Sequence, residues 1–339
     1  MKHQGKLTFG CAMLAVLAAV VPDTFAQLVS GPLKVANIRE NVYWATGGAG
    51  VNTGFIVGTT GVIVVDAKTT EDSEKEVLSE IAKITPKPVH TVIITHSDHI
   101  KGIAAFPPGV TIVAQENCKK EMETSRARDA APPDRMPTKT IAKDEAMTID
   151  GVRLRLLHWA PAHTSGDLVV YLPDQKIVFA EDLLVTDRPE DDTPVHTSLH
   201  GSAAGWFENV KGMLALDADT YVLGHGESLF TKDDVRKKMA LIQAKWDKVE
   251  ALVMQGKSLD EVKAAFGEST TATPNAQGNL PEPSLTEIMY NEITKGARSS
   301  KETKVRTPTG ARQNAADLSA TVLPAQPFSS VKLSFLLAL

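Results

Sequence analysis

A series of short stretches, in one fixed order along the chain, carries side chains that bind divalent ions. They are His96-Ser97-Asp98-His99, then His163 in PAHTSGD, Asp182 in FAEDLL and His225 in LGHGE. Imidazole and carboxylate are the donors that zinc and similar cations take from proteins. Each stretch directly follows a β-rich apolar run, where a strand hands over to a loop. Ligands from several strand ends can converge on one point, as an active site requires. Glycines flank His225, so backbone there can approach a ligand closely. A lone histidine means little, and His90, His158, His196 and His200 are read as ordinary surface or core residues. For His196 and His200, in the loop after the Asp182 stretch, the alternative is that they border a substrate cleft.

The elements that must position these residues are legible from periodicity. Val42 to Asp66 reads as strands with glycine turns, Gly58 to Gly61 punctuating a hairpin. Residues 69–84 switch to helical period, with Val77, Leu78, Ile81 and Ile84 on one face. Val89 to Thr95 is a buried-strand run that ends at His96. A short helix near 99–106, the strand VTIVAQ and the helix ENCKKEMETSRARD follow. After the proline-rich loop 130–137 the pattern begins again. TIAKDEAMTIDGVRLRLLHWAP gives two strands around an Asp150-Gly151 turn, and DLVVYLP with KIVFAED gives a hairpin. Residues 203–217 form a helix, YVLGHG a strand and exit loop, and 231–255 a long helix. Ser258 with Glu261 and Ser284 with Glu287 are capping boxes. Two successive strand-then-helix blocks suit an α/β sandwich of two sheets covered by helices on both outer faces.

Bulk composition limits the function. The 339 residues are 42% apolar and 23% charged, ordinary for a folded domain. The net charge of −5 argues against a nucleic-acid binder, which needs clustered Lys and Arg. The N-terminus reads as a secretory signal over 1–26. Lys2 and Lys6 precede an apolar run from Leu7 to Val21, and Thr24-Phe25-Ala26 is a small-residue cleavage site. Its removal takes two lysines and one aspartate, leaving −6. Cys11 leaves with it, so Cys118 is the sole mature thiol and no intramolecular disulfide forms. No stable membrane span is expected afterwards. The expected divisions are a domain over 34–230, a helical extension over 231–296 and a disordered tail over 297–339. The tail carries six basic and two acidic residues without amphipathic period.

Taken together, HSDH, AHTSGD, EDLL and GHGE resemble the metallo-β-lactamase superfamily. That family's pattern is H-x-H-x-D-H, a His in an A-H-T-x-G-D-like loop, an Asp in G-D and a His in G-H-G. The resemblance covers roughly residues 34–230. It implies a four-layer αβ/βα sandwich and a metal-dependent hydrolase holding one or two zinc ions, or another divalent metal. By the same resemblance His96, His163 and Asp182 serve a first metal. Asp98, His99, Asp182 and His225 serve a second, with Asp182 shared and Asp98 also holding the attacking water. Zinc lowers the pKa of its bound water towards ~7, which makes a nucleophile available at neutral pH.

The first motif departs from the pattern. H-S-D-H stands where H-x-H-x-D-H is expected, so one imidazole of the first site is gone. Without a gap, His96 matches the second histidine and Ile94 the first; with two residues deleted, His96 matches the first. Gly102 is kept. Glu181 replaces a frequent glycine and either crowds the pocket or adds a carboxylate. Asp66 is either a carboxylate that orients a ligand histidine or a strand-end turn residue. The protein is expected to be exported, periplasmic or secreted, and its substrate to be a small extracytoplasmic ester, lactone or amide such as a β-lactam. The alternative is a degenerate, non-catalytic metal-binding or scaffold relative.

Overall fold

Alternation decides the layers. In the computed structural model, described over residues 31–124, 131–271 and 281–305, strand β4 (Val62–Val65) buries every side chain, but towards two different cores. Val62 and Val64 join one apolar cluster, and Ile63 and Val65 join another. That period of two, apolar on both faces, is the pattern of a strand covered on each side.

Two mixed sheets result. The first has seven strands in chain order: β1 (Lys34–Arg39), β2 (Val42–Thr46), β3 (Thr53–Val57), β4, β5 (Val89–Ile94), β6 (Thr111–Gln115) and β7 (Lys139–Ile141). The second has six: β8 (Asp144–Ile149), β9 (Val152–Leu157), β10 (Val169–Leu172), β11 (Ile177–Val185), β12 (Thr220–His225) and β13 (Phe230–Thr231), with β13 and β8 at its edges. β4, β5, β6 and β7 run parallel, as do β11 and β12; the remaining pairs are antiparallel.

Three apolar cores separate four layers. Between the sheets lie Trp44, Ile63, Val65 and Ile93 against Leu154, Leu156, Val170 and Phe179. Outside the first sheet, helices α1 (Glu71–Ile84) and α2 (Glu116–Glu123) cover Val62, Val64, Val92 and Ile112 with Val77, Ile81, Cys118 and Met122. Outside the second, α3 (Ala203–Ala215), α4 (Lys232–Met254), α5 (Leu259–Ala265) and α6 (Leu285–Val305) contribute Trp206, Val210, Ile242, Val262 and Ile288. This is the expected four-layer αβ/βα sandwich.

Local signals account for most boundaries. Thr70 caps α1 and Ser258 closes a capping box on α5, while Thr231 with Asp234 forms a further box on α4. Ser284 Oγ accepts from Glu287 N at the start of α6 and donates to Glu268. Some details differ from expectation. The buried face of α1 is Ser73, Glu74, Val77 and Ile81, and Ile84, on the last turn, is 39% exposed. The stretch read as two strands around Asp150 is three, because the chain leaves the first sheet after Ile141 and enters the second at Asp144. Helix α2 ends at Glu123, and residues 125–130 lie outside the described residues.

Contacts divide the chain between Gly296 and Ala297. The last turns of α6 continue to Val305 within the stretch expected to be a disordered tail. The expected signal segment 1–26 and the rest of that tail lie outside the described residues. Among the described residues, no helix is long and apolar enough to cross a membrane.

Candidate metal centre

The parallel strands aim their C-terminal ends at one point, the usual place for a site in an open α/β sheet. β5 ends one residue before Thr95-His96, β12 ends on His225, and Asp182 sits within β11. His163 comes from the loop between β9 and β10. Two backbone irregularities sharpen the aim. β11 slips register against β12 around Glu181, which has φ +44°, and Asp66 leaves β4 at φ +59°. Left-handed backbone at a bulky non-glycine residue is strained, and bulges gather beside active sites.

All six residues singled out in the sequence meet here. Ligand atoms of His96, Asp98, His163 and Asp182 lie within 4.8 Å of one another, and so do those of His99, Asp182 and His225. His96 Nε2 is 2.9 Å from Asp98 Oδ1, and His163 Nε2 is 3.5 Å from both Asp98 Oδ2 and Asp182 Oδ2. His225 Nε2 is 3.3 Å from Asp182 Oδ2. Asp182 belongs to both groups. Asp98 falls with His96 and His163, two residues along the short turn from His96, although its Oδ2 is also 3.6 Å from His99 Nε2.

The donors fit a divalent cation. His96 Nε2, His163 Nε2, both Asp98 oxygens and Asp182 Oδ1 are buried without a hydrogen-bond partner. Five orphaned polar atoms at one point would be costly in a closed protein core. Their rings are held from the far side. His163 Nδ1 donates to Pro194 O at 3.2 Å, and His99 Nδ1 meets Thr69 Oγ1 at 3.3 Å. His225 Nδ1 faces Asp187 Oδ2 at 3.7 Å. For His96 the chain is longer. Thr95 Oγ1 donates to Asp66 Oδ2 at 2.5 Å and so accepts from His96 Nδ1 at 2.8 Å. Each arrangement leaves Nε2 turned inward, the outer-shell support that metal-bound histidines have. Asp66 therefore acts on His96 through Thr95.

Electrostatics agree. Burial opposes charge on every group in the centre, yet the neighbouring carboxylates of Asp182 and Asp98 hold His96 well above its usual value. His163 and His225 are raised in the same way, whereas burial wins at His99, which is lowered. Against the same burial, the imidazoles keep Asp98 and Asp182 well below the carboxylate range. A bound cation would take the place of those imidazole protons.

Surrounding contacts explain further residue choices around the centre. A Cβ on Gly224 would lie 1.9 Å from Asp182 Oδ1, so only glycine fits before His225. One on Gly102 would lie 2.2 Å from Lys68 O. Glu121, from α2, accepts from Ser97 Oγ at 2.5 Å and Ser165 Oγ at 2.6 Å, tying the His96 and His163 loops together. Asp167 accepts from Ala162 N, Thr164 N and Thr164 Oγ1 and so shapes the His163 loop. Lys68 is fully buried and donates from Nζ to the carbonyls of Gly47 and Val51. Glu181 points both carboxyl oxygens into the interior without a partner, and burial raises it well above the usual range. It lines a void of about 10 Å³ with Thr95, His96, His163 and Asp182.

The other histidines divide. His90 packs against Asp150 and Thr91, and His158 Nδ1 donates to Asp167 O, both structural roles. His200 takes a left-handed conformation at φ +59° in the loop before α3. His196 does not behave as an ordinary residue. Its Nε2 is 3.0 Å from Asp98 Oδ2, and its ring lies 4.7 Å from that of His163. Its only sequence signal was its position in a loop after the Asp182 strand.

Comparison with known proteins places these observations in a family. The sequence profile of the metallo-beta-lactamase superfamily matches residues 46–225. The alpha subunit of 2,4-dinitroanisole O-demethylase from Nocardioides sp. (strain JS1661) is 30% identical over 194 residues, 56% of each chain. The linear primary-alkylsulfatase of Pseudomonas sp. (strain ATCC 19151) is 26% identical over 228 residues, 53% of this chain and 42% of that one. The chain thus spans about half the length of these curated relatives. Among solved structures, a metallo-beta-lactamase from Pontibacter korlensis superposes with TM-score 0.53 at 21% identity, over 62% of this chain and 99% of that one. The sec-alkyl sulfatase PisA1, as a double mutant, gives TM-score 0.57 at 15% identity, over 78% and 50%. With its two mixed sheets, flanking helices and matched profile, the chain belongs to the metallo-beta-lactamase superfamily.

Proposed function

We propose that this protein is a zinc-dependent hydrolase that turns an activated water on a small ester-like substrate: a carboxylic or sulfuric ester, a lactone or an amide such as a β-lactam. The observation that carries the reading is the convergence of six donor residues, two of them with imidazole nitrogens orphaned in the interior. His96, Asp98, His163 and Asp182 would hold one ion, and His99, Asp182 and His225 another. Divalent ions there would supply Lewis acidity and lower the pKa of water towards ~7. The chain's own part is positional. Asp66 through Thr95, and Pro194 O, fix the tautomers of His96 and His163. Asp98 would also hold the attacking water in position by accepting a hydrogen bond from it. A cavity of about 230 Å³ lined by Thr186, Arg188, Phe230 and Lys237 includes Val185, the strand partner of His225, though none of the candidate ligands lines it. It suits a small-molecule substrate.

The names of the curated relatives widen the panel worth testing, since one is an alkylsulfatase and the other an O-demethylase. Purified protein should carry about two zinc ions by elemental analysis and hydrolyse at least one of a chromogenic β-lactam, a lactone, an aryl ester and a primary alkyl sulfate. His163→Ala or Asp182→Ala should remove both metal and turnover. Unchanged turnover in those variants would end the proposal. Metal without turnover on any class would favour a non-catalytic relative, the reading that the missing imidazole supports. We also propose export, on the strength of Lys2, Lys6, the apolar run Leu7–Val21 and Thr24-Phe25-Ala26. N-terminal sequencing of protein from the producing cell should begin at Gln27; an intact Met1 would refute it.

A further inference from the structure

The short motif leaves the first group with two imidazoles and two carboxylates. A histidine from elsewhere in the chain stands at its edge. We propose that His196, carried by the loop between β11 and α3, is a metal ligand that replaces the imidazole missing from His96-Ser97-Asp98-His99. The proposal rests on reading the site as a metal centre.

Three observations carry it. The first is direction. His196 Nε2 lies 3.0 Å from Asp98 Oδ2, yet Asp98 Oδ2 has no hydrogen-bond partner. The two atoms approach side by side, as ligands of one ion do, and not as donor to acceptor. The second is anchoring. The loop is strapped to the His163 loop on both sides of His196. His196 N donates to His163 O at 2.8 Å, Ser165 N to Leu199 O at 2.8 Å, and His163 Nδ1 to Pro194 O. Gly201 lets this contact close, because a Cβ there would lie 2.4 Å from His163 O. A residue that merely bordered a cleft would not need its backbone fixed to a ligand's backbone. The third is support from behind. Glu282 Oε1 lies 4.0 Å from His196 Nδ1, and Glu282 accepts from Ser198 Oγ at 2.8 Å and Thr197 Oγ1 at 3.4 Å. A carboxylate behind the outer nitrogen repeats the arrangement of Asp187 behind His225.

The test uses the full chain and cobalt(II) or zinc alone as probe. His196→Cys, made on a Cys11→Ser background and loaded with cobalt(II), should show a thiolate-to-cobalt charge-transfer band, which the Cys11→Ser parent lacks because Cys118, on α2, is fully buried in the core beneath the first sheet. His196→Ala should lose one zinc equivalent on dialysis or bind it at least 10-fold more weakly in a chelator competition. Glu282→Gln, at an exposed position, should weaken the same site by about 10-fold. No band in His196→Cys, or zinc retained within twofold in His196→Ala while His163→Ala loses an equivalent, would overturn the assignment and leave the hydrolase reading standing. Wild-type protein that binds no zinc would overturn both.

Discussion

Replacing Asp66 by Asn is the sharpest test of how the centre is positioned. The two side chains have the same shape, and Asn is among the residues that best tolerate the left-handed backbone that position 66 adopts at φ +59°. The change therefore isolates one hydrogen-bond polarity. In the wild type, Asp66 accepts from Thr95 N at 2.7 Å and from Thr95 Oγ1, which frees the Thr95 oxygen to accept from His96 Nδ1–H. The Asn oxygen keeps the first bond, but its amide group faces the Thr95 hydroxyl as a donor. That hydroxyl must then donate to His96 Nδ1, and the imidazole proton moves to Nε2, into the metal position. Removing outer-shell support of this kind costs about 10–100-fold in metal affinity, or about 1.4–2.8 kcal/mol. Burial raises Asp66 to about 6, so the comparison belongs at pH 8, where the wild-type carboxylate is ionised. Chelator competition with zinc reads the affinity, and far-UV circular dichroism confirms the fold. Affinity within twofold of wild type would refute the relay through Thr95.

Further expectations follow from the same contacts. Gly224→Ala should disrupt the centre through a Cβ 1.9 Å from Asp182 Oδ1, so zinc content should fall below one equivalent; full retention would show that the bulge at Glu181 can yield. Glu121→Ala strands the hydroxyls of Ser97 and Ser165, and unfolding should show a loss of about 3 kcal/mol, with Tm lower by roughly 6–12 °C. A loss under 0.5 kcal/mol would deny Glu121 its bridging role. Burial pushes Glu74 up from 4.5 to about 7 and Lys68 down from 10.5 to about 8. The fold therefore holds an extra proton on Glu74 between pH 4.5 and 7 and sheds one from Lys68 early between 8 and 10.5. Stability contributed by the pair should fall through the first range and recover through the second. Denaturant unfolding of metal-free wild type against Lys68→Met/Glu74→Gln should show that minimum in the difference, and a flat difference would contradict it.

The fold was legible because its signals are local. Strands covered on two faces read as continuous apolar runs, and the Ser258–Glu261 capping box marks where α5 begins. The candidate ligands were legible for a similar reason: glycines, a strand exit or a Thr-Ser-Gly-Asp turn set each of them apart. What escaped is non-local. Glu121 touches Ser97 and Ser165 across 24 and 44 residues and carries no signal of its own. Lys68 looks like any lysine after a strand, and only three-dimensional packing closes the carbonyls of Gly47 and Val51 around it. His196 lies in a loop without periodicity, and its place depends on backbone bonds to His163. Ile84 matched the apolar stripe of α1, but the helix ends there, beyond the layer it covers, so the side chain meets solvent.

The most direct measurement is anomalous diffraction at the zinc edge from crystals of the protein grown with zinc. Peaks are expected about 2.0–2.2 Å from His96, His163 and Asp182, and from His99, Asp182 and His225. Density free of any anomalous peak among these side chains, or zinc bound only elsewhere on the surface, would contradict the account.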